Sequence, residues 1–431
     1  MSEYTIAVVG LGKIGLPLAA QFALSGQQVI GCDINADVVD QVNAGISHVK
    51  EEPGLEELVR KAAGKGLLTA TTDTAEAVGK SNVVVVIVPV MVDEINHEVD
   101  YTSIDAATKA VAAGLQPGTL IVYETTLPVG TTRTRFAPML ENGSGLQVGR
   151  DFCLAFSPER VYSGRIFADL KKYPKVLGGI TDECTEHARA FYEVVLEGVS
   201  TLVMKNTDAA EYVKLIETTY RDVNIALANE FARFAADHDL PVDEAIAAAN
   251  SQPYSHILRP GIAVGGHCIP VYPYFLINQA TEGEMSLPLR ARAINDDMSA
   301  WALARLGDEL GGLAGKRVLI LGLAYRENVK ESAFSGATRL VVELKEAGAS
   351  PHLNDPLYSD AEIARFGATP VSLPSLPSGD AVILQAYHDQ YRSLDWSALP
   401  ALGYKVVLYG RNSLDRGAIE DAGLHYLGIG R

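Results

Sequence analysis

The sequence lacks the features that mark several large classes of protein. Only four of its 431 residues are cysteines, and no two of them have the C-x-x-C spacing. Neither a disulfide framework nor a zinc site is therefore predicted, and no metal ligands are assigned. Basic residues are also scarce, because 36 lysines and arginines accompany 53 acidic residues, for a net charge of −17. Phosphate binding needs a basic surface, so no nucleic-acid partner is expected.

Long hydrophobic runs are missing as well. The longest apolar run, Val83 to Val92, contains Pro89 and spans about half of what a bilayer crossing needs. The first residues, MSEYTIAVVGLG, enter an apolar strand without the basic n-region of a signal peptide. We therefore expect a cytoplasmic protein with reduced cysteines and no membrane partner. The length exceeds one ordinary core and predicts two or three domains.

The sequence does contain one local pattern twice. TIAVVGLGKIG near the start and KRVLILGLAYREN from Lys316 each indicate a buried strand followed by a glycine turn. Similar apolar runs predict further strands at Gln28–Cys32, Val83–Val88, Thr119–Tyr123, Ala381–Gln385 and Val406–Tyr409. Such runs, with helical segments between them, are typical of parallel sheets covered on both faces. They predict an α/β fold with two Rossmann-like, doubly wound parallel-sheet domains, one at each end of the chain.

The middle of the chain has a different pattern. Asp208 to His238 contains no glycine or proline and has helical apolar periodicity, which predicts one helix of roughly 45 Å. A second helical segment is predicted from Pro288 to Leu310. The two sheet domains are therefore expected to be joined by a central helical domain with a long spine helix. This helix either provides a dimer surface or only fills the space between domains.

A glycine loop near the start predicts a dinucleotide site. Gly10, Gly12 and Gly15 form G-x-G-x-x-G between a strand and a helix, and Asp33 ends the next strand about 20 residues later. The Asp33 carboxylate would accept hydrogen bonds from the ribose hydroxyls and repel a 2′-phosphate, which favours NAD over NADP. The alternative is a glycine turn without a ligand. The other residues assigned to the cofactor are Lys13, Ile14, Pro89 and Thr126.

The stretch VGGHCIPVYPYF, from Val264 to Phe275, contains Cys268 behind Gly265 and Gly266. The thiol could be a nucleophile, a metal ligand or a core residue, and the last is the commonest fate of a free cysteine. The two glycines expose backbone N–H groups and let a ligand approach closely. The surroundings therefore favour a functional thiol.

Several motifs together resemble one family. GGHC-I-P, with SPER and YRDVNIALANE before it and GLAYREN after it, is similar to the nucleotide-sugar 6-dehydrogenases. Members of this family oxidise UDP-glucose, GDP-mannose or UDP-N-acetylhexosamines, and YRDVNIALANE and SPERV resemble the acetamido-sugar branch. The resemblance implies an N-terminal NAD domain (residues 1–200), a central dimerisation domain (201–312) that carries the cysteine loop, and a C-terminal UDP-sugar domain (313–431).

The resemblance also implies the reaction and the residues that perform it. The family oxidises C6 of the sugar to a carboxylate in two NAD-dependent steps, with the cysteine forming a thiohemiacetal and then a thioester. By resemblance Thr126 positions a water, Glu159 is a general base and Lys214 stabilises an oxyanion. The residues expected to contact the substrate are Glu159, Arg160, Val161, Lys214, Arg259, Gly265, Tyr325, Arg326 and Arg411.

Two positions depart from the family pattern. Thr218 stands where the family usually has asparagine, and Tyr272 stands where it usually has the aspartate beside the cysteine. Both are kept as catalytic candidates because their hydroxyls can partly replace the missing groups. The expected product is a UDP-N-acetylhexosaminuronate from UDP-ManNAc or UDP-GlcNAc. The alternatives are a UDP-glucose 6-dehydrogenase, release of an aldehyde after one oxidation, a binding protein without catalysis, and a hydroxy-acid or 6-phosphogluconate dehydrogenase.

Overall fold

The protein is described by a computed structural model that covers residues 4–93, 96–162, 164–373, 375–410 and 414–430. The chain forms two compact units. The first consists of Met1–Glu217 and Tyr274–Gln279, and the second of Thr218–Pro273 and Ala280–Arg431. The three-domain division inferred from the sequence stays a prediction.

The first unit is built on a large sheet. The strands of this unit are β1 (Thr5–Val9), β2 (Gln28–Cys32), β3 (Leu68–Thr71), β4 (Val83–Val86), β5 (Met91–Val92), β6 (Val99–Asp100), β7 (Leu120–Tyr123), β8 (Cys153–Phe156), β9 (Lys175–Gly179) and β10 (Thr201–Val203). In the described part of the chain, eight of them form a sheet in the order β10-β9-β8-β7-β4-β1-β2-β3, while β5 and β6 form a separate antiparallel pair. The strands of the large sheet pair in parallel except β8 with β9, which are antiparallel.

Helices cover both faces of this sheet, as the apolar strands require. They are α1 (Gly15–Leu24), α2 (Ala36–Asn43), α3 (Leu55–Gly64), α4 (Thr74–Gly79), α5 (Thr102–Gly114), α6 (Ala137–Ser144), α7 (Ile166–Lys172) and α8 (Asp182–Val195). A π-helical turn, Thr132–Phe136, precedes α6. The core combines fully buried strand residues such as Ile6, Val85 and Val122 with Phe22 of α1 and Phe191 of α8.

The helical middle of the chain begins with a helix of 31 residues, α9 (Thr207–Asp237). It confirms the predicted helix within one residue at each end. Four helices follow: α10 (Val242–Ala249), α11 (Pro273–Ile277), α12 (Ser286–Asp296) and α13 (Met298–Leu310). The segment expected to be one helical stretch from Pro288 to Leu310 is therefore two consecutive helices that meet at Asp297.

The second unit contains the C-terminal sheet. Its strands are β11 (Arg317–Leu321), β12 (Ser350–Asn354), β13 (Thr369–Pro370), β14 (Ala381–Leu384), β15 (Val406–Tyr409) and β16 (His425–Gly428). Among the residues described, they form one parallel sheet in the order β13-β12-β11-β14-β15-β16. Its helices are α14 (Gly336–Glu346), α15 (Asp360–Arg365) and α16 (Arg416–Asp421). Two doubly wound sheets thus confirm the predicted fold class.

Candidate active site

The first glycine loop has the geometry of a dinucleotide site. Gly10 follows β1 with φ of +95°, and its N–H donates to the Cys32 carbonyl at 2.8 Å, which makes the tight turn. A Cβ on Gly15 would lie 1.8 Å from the Gly10 carbonyl oxygen, so only glycine fits there. A Cβ on Gly12 would meet no protein atom within 4 Å. The loop therefore leaves open space at the one glycine that a pyrophosphate must approach.

The helix that follows this loop fits an anion. The N-terminus of α1 has no side-chain cap hydrogen bond. The first N–H groups of a helix point out of its N-terminus, which is the positive end of the helix dipole and here adjoins the loop. Lys13 is half-exposed in the loop, 3.8 Å from Glu51. These residues fit the pyrophosphate of NAD. When bound, NAD would accept a hydride on its nicotinamide ring.

Asp33 lies at the end of β2 beside the loop. One carboxylate oxygen accepts from the Leu11 N–H at 3.0 Å and the other from the Asn35 N–H at 2.9 Å. These bonds hold the carboxylate in place while lone pairs stay available for ribose hydroxyls. Ile34, next to it, is 98% exposed and offers an apolar surface for an adenine ring. The predicted NAD residues Gly10, Gly12 and Asp33 thus lie together.

Replacing Asp33 with alanine should weaken NAD binding roughly 10- to 100-fold, because hydrogen bonds to a charged group are worth about 1.5–3 kcal/mol. The preference for NAD over NADP should shrink too, since the negative charge that repels a 2′-phosphate is gone. Titration calorimetry with both cofactors measures this. Asp40→Ala, at an exposed position of α2, serves as the control. Unchanged NAD affinity in Asp33→Ala would remove the assigned ribose contact.

The second strand–glycine turn has the same backbone but different chemistry. Gly322 has φ of +98° and donates to the Asn354 carbonyl at 2.8 Å, as Gly10 does to Cys32. Asp355 corresponds to Asp33 and accepts from the Leu323 and Ala324 N–H groups at 2.7 and 2.9 Å. Unlike Asp33, it is buried and also pairs with buried His388 at 3.0 Å. This carboxylate is therefore committed to the protein, whereas Asp33 is only partly buried.

The same pair orders the loop after β11. His388 Nδ1 accepts from the Asn328 N–H at 2.9 Å, so its Nε2–H donates to Asp355. Burial would raise the pKa of Asp355, but the hydrogen bonds from His388 and the backbone hold it below its ordinary value. The loop that carries Tyr325 and Arg326 is therefore fixed at both ends.

The cysteine loop packs against this ordered loop. The Gly266 N–H donates to the Ala333 carbonyl at 2.9 Å, and Gly266 has φ of +93°. A Cβ on Gly265 would lie 2.6 Å from Tyr325 Cβ, and one on Gly266 would lie 3.2 Å from the Tyr325 ring. Cys268 is half-buried, and its carbonyl accepts from the Tyr272 N–H at 2.9 Å. Gly265, on the loop that carries Cys268, thus lies in contact with Tyr325 in the second unit.

Glu159 lies in the first unit, just beyond β8. One of its oxygens accepts from the Arg160 and Val161 N–H groups at 2.7 and 3.2 Å, and the other accepts from Lys175 at 3.0 Å. Its side chain is 11% exposed. The Arg160 guanidinium pairs with Glu217. Glu159, Arg160 and Val161 therefore form one connected set.

The other catalytic candidates occupy two elements. Thr126 is buried just after β7, in the first unit. Lys214 is half-buried in α9, and Thr218 follows one helical turn later, with 4% exposure. Glu211 of α9 holds the loop after Thr126, because its carboxylate accepts hydrogen bonds from the Gly130 and Thr132 N–H groups.

The remaining assignments differ in their surroundings. Pro89 and Arg259 are exposed, whereas Ile14, Tyr325 and Arg326 are half-buried. Arg411 lies outside the described residues. Sequence reasoning missed Glu124, Lys175, Asp355 and His388. For Asp355 the signal was its position after β12, which matches Asp33 after β2.

These features define an NAD-dependent oxidoreductase with one dinucleotide loop and a second, altered nucleotide-binding half. The UDP-glucose/GDP-mannose dehydrogenase family matches in three parts: its NAD binding domain at residues 4–196, its central domain at 208–297 and its UDP binding domain at 319–416. The chain belongs to this family.

Similar proteins span the whole chain. It is 35% identical over 432 residues to the UDP-N-acetyl-D-mannosamine dehydrogenase of Pyrococcus horikoshii, covering 99% of both chains. The structure of the UDP-D-ManNAc dehydrogenase from Pyrococcus horikoshii superposes with a TM-score of 0.88 at 33% identity, again over 99% of both chains. A UDP-glucose dehydrogenase from Pyrobaculum islandicum gives 0.88 at 28% identity, over 99% of this chain and 98% of that one. In the parts of the chain that are described, no helix has the length and apolar character to cross a membrane.

Proposed function

We propose that this protein oxidises C6 of a UDP-N-acetylhexosamine, UDP-ManNAc or UDP-GlcNAc, to the uronate in two NAD-dependent steps. The observation that carries the proposal is Cys268, held on a glycine loop against Tyr325 of the second nucleotide-binding half. A half-buried thiol beside a nucleotide loop suits covalent capture of a sugar aldehyde. The names of the relatives, UDP-N-acetyl-D-mannosamine dehydrogenases, favour UDP-ManNAc.

The chemistry balances as a four-electron oxidation. The C6 alcohol first loses a hydride to NAD and a proton, which leaves the aldehyde. The Cys268 thiolate then adds to the carbonyl carbon, and the oxygen takes a proton to give a thiohemiacetal. This adduct would lose a second hydride to a second NAD and its hydroxyl proton to solvent, and would so become a thioester. Water attacks the thioester, the C–S bond breaks, and the acid and the thiolate are released.

Several other candidate residues have roles in this scheme. The Lys214 ammonium would stabilise the oxyanion that forms at C6. Thr126 would position a water, and Glu159 would accept its proton as the water attacks. Tyr325, Arg326, Arg259 and Arg411 would bind the nucleotide and the sugar.

Thr218 and Tyr272 are the observation that raises a second candidate function. The first replaces an oxyanion donor and the second a carboxylate beside the thiol, and one lost oxyanion donor costs on the order of 2.7–4 kcal/mol. We propose that their hydroxyls compensate and that both oxidations proceed. The second candidate is an enzyme that releases the aldehyde after one oxidation, or a homologue that only binds the sugar nucleotide. A UDP-glucose 6-dehydrogenase is the same-class alternative, which the likeness to the Pyrobaculum islandicum structure supports.

The test uses purified protein, NAD and a panel of UDP-ManNAc, UDP-GlcNAc, UDP-GalNAc, UDP-glucose and GDP-mannose. NADH formed per sugar consumed is counted, and products are identified by mass. Two NADH and the uronate of UDP-ManNAc or UDP-GlcNAc support the proposal. Two NADH with UDP-glucose alone would favour the alternative substrate. One NADH with an aldehyde, or no turnover with any sugar, would contradict the proposed two-step oxidation.

We further propose a cytoplasmic homodimer formed through α9. Six apolar side chains of α9 are 40–57% exposed: Tyr212, Ile216, Tyr220, Leu227, Phe231 and Phe234. At 100° per residue their positions span an arc of roughly 100°, so they form one stripe. A stripe of this size on a helix favours burial against a second copy. The proposed division of labour assigns NAD to residues 1–200, dimerisation to 201–312 and the UDP-sugar to 313–431.

The double variant Phe231→Glu with Phe234→Glu should dissociate the dimer, because burying two carboxylates opposite their symmetry mates is costly. Sedimentation velocity should show wild type at twice the mass of one chain and the variant at that of a single chain. Glu244→Lys, at an exposed position of α10, should remain dimeric. A monomeric wild type, or an unaffected double variant, would refute the assigned interface.

A further inference from the structure

A buried cluster of charged groups lies next to Glu159. Glu124 follows β7 directly, and Lys175 begins β9. Strands β8 and β9 run antiparallel with Phe156 opposite Gly178, and Lys175 contacts Glu159 just beyond the end of β8. The antiparallel pair therefore brings a lysine to the edge of the sheet where the two glutamates stand.

The contacts within this cluster are short and specific. Lys175 Nζ donates to Glu124 Oε2 at 2.7 Å and to Glu159 Oε2 at 3.0 Å. The Tyr192 hydroxyl of α8 donates to Glu124 Oε1 at 2.5 Å. Glu124 and Tyr192 are 1% exposed, and the Lys175 side chain is 6% exposed. One ammonium is thus shared by two carboxylates away from water.

The electrostatic balance separates the two carboxylates. Burial alone would raise the pKa of both, because it disfavours the charged form. At Glu124 burial prevails over Lys175, so the pKa of that carboxyl is raised. At Glu159 burial is outweighed by the Lys175 charge and by hydrogen bonds from Lys175 and the Arg160 N–H, so its pKa is held below the ordinary value.

We propose that Lys175, anchored by Glu124, is a positioning residue that keeps Glu159 ionised and fixed in orientation for the attack of water on the thioester. The proposal rests on the role proposed above for Glu159. A general base must be unprotonated before it can accept the proton of water. Two N–H groups bind Oε1 and Lys175 binds Oε2, so hydrogen bonds fix both oxygens of the carboxylate.

Other charged groups around Glu159 do not replace Lys175. Arg160, its neighbour in sequence, directs its guanidinium to Glu217 of α9 and to the Pro174 carbonyl. Tyr192 of α8 contacts Glu124 and stands next to the Lys175 ammonium, 4.9 Å from ring centre to Nζ. Removing the Lys175 charge would therefore leave Glu159 buried beside a second carboxyl, and its proton affinity should rise.

The first test is independent of catalysis. Protein carrying ¹³C at the glutamate side-chain carboxyls is titrated by NMR, and Glu159 is assigned with Glu159→Gln. In wild type Glu159 should stay ionised from about pH 5 to 8, because the Lys175 charge and hydrogen bonds outweigh burial and hold its pKa below the ordinary glutamate value. Lys175→Met should bring its titration into that range, and Lys175→Arg should not. Glu124→Gln keeps the lysine and should also leave Glu159 ionised.

Two further variants keep this test decisive. Lys175→Gln removes the charge but keeps a hydrogen-bond donor, so it replaces Lys175→Met if that protein does not fold. Glu211→Gln is the control, because Glu211 is a buried carboxylate of the same unit that binds the Gly130 and Thr132 N–H groups and not Lys175. It should change thermal stability without moving the Glu159 titration. An unmoved Glu159 in the charge-removing variant would overturn the proposal.

The second test measures turnover to the acid from pH 5 to 8.5. Lys175→Met should lose at least about 10-fold in kcat near pH 6 and recover most of it near pH 8.5, with KM changed less than about 3-fold. Lys175→Arg should restore the wild-type profile. A loss that is equal at all pH values would indicate only structural damage and would overturn the proposal. If wild type forms no acid from any sugar, the proposed function fails, and the NMR titration alone decides the role of Lys175.

Discussion

Replacement of Cys268 with serine is expected to lower formation of the uronate by at least about 10⁴-fold, since the covalent route is removed. A serine hydroxyl is almost fully protonated at neutral pH and adds poorly to an aldehyde. An oxygen ester, if it formed, would also hydrolyse more slowly than a thioester. Serine is close to isosteric, so the loop of Gly265 and Gly266 against Tyr325 should remain intact.

The variant should retain the first oxidation, because hydride loss from the alcohol requires no thiol. Single-turnover experiments should therefore show at most one NADH per active site, followed by the aldehyde in the mass spectrum. Cys153→Ser, at a buried cysteine of β8 in the first unit, is the matched control and should make acid at the wild-type rate. Survival of acid formation in Cys268→Ser would exclude the thioester mechanism.

Thr218 and Tyr272 make this result informative about the whole family pattern. If wild type yields two NADH and Cys268→Ser yields one, the thiol acts without the asparagine and aspartate that usually accompany it. Thr218 is 4% exposed, so its hydroxyl is withdrawn from bulk water. The hydroxyls of Thr218 and Tyr272 would then compensate for the missing amide donor and the missing carboxylate.

Much of the fold could be predicted from local pattern. The strands Gln28–Cys32 and Val406–Tyr409 begin and end where the apolar runs do. The strand predicted over Val83–Val88 ends at Val86, before Ile87 and Val88. The long helix was also predictable, since 31 residues without glycine or proline have few alternatives.

The site was predictable only where chemistry follows sequence order. The glycine loop and Asp33 lie within one strand–helix–strand unit, so their spacing indicates their contact. Lys175 and Glu124 are 51 residues apart and meet through the antiparallel pairing of β9. His388 and Asp355, 33 residues apart, meet across two strand ends. Such contacts depend on strand order and direction, which periodicity does not reveal.

The division of the chain shows the same limit. Residues Tyr274–Gln279 group with the first unit although Cys268 does not. The Tyr274 ring stacks on His97 at 3.8 Å, and Gln279 exchanges two hydrogen bonds with the Val129 backbone. Domain borders predicted from sequence divide the chain into consecutive segments. These contacts instead place a short segment from the middle of the chain in the first unit.

The glycine loop permits a paired test that separates protein stability from NAD binding. Gly15→Ala should destabilise the first unit by about 3 kcal/mol or more, because its Cβ would lie 1.8 Å from the Gly10 carbonyl oxygen and 2.8 Å from Ile87. The loop must shift to relieve this contact, and NAD affinity should fall more than about 100-fold as the turn opens.

Gly12→Ala should instead fold with unchanged stability, since the new methyl group meets no protein atom within 4 Å. Its methyl group would occupy the space that a pyrophosphate needs, so NAD affinity should still fall at least about 10-fold. Urea unfolding and NAD titration of both variants separate the two roles. Normal NAD binding by Gly12→Ala would mean that the pyrophosphate does not approach this glycine. Equal loss of stability in both variants would mean that the open space is needed by the protein itself, and the assignment of the loop to NAD would lose its structural basis.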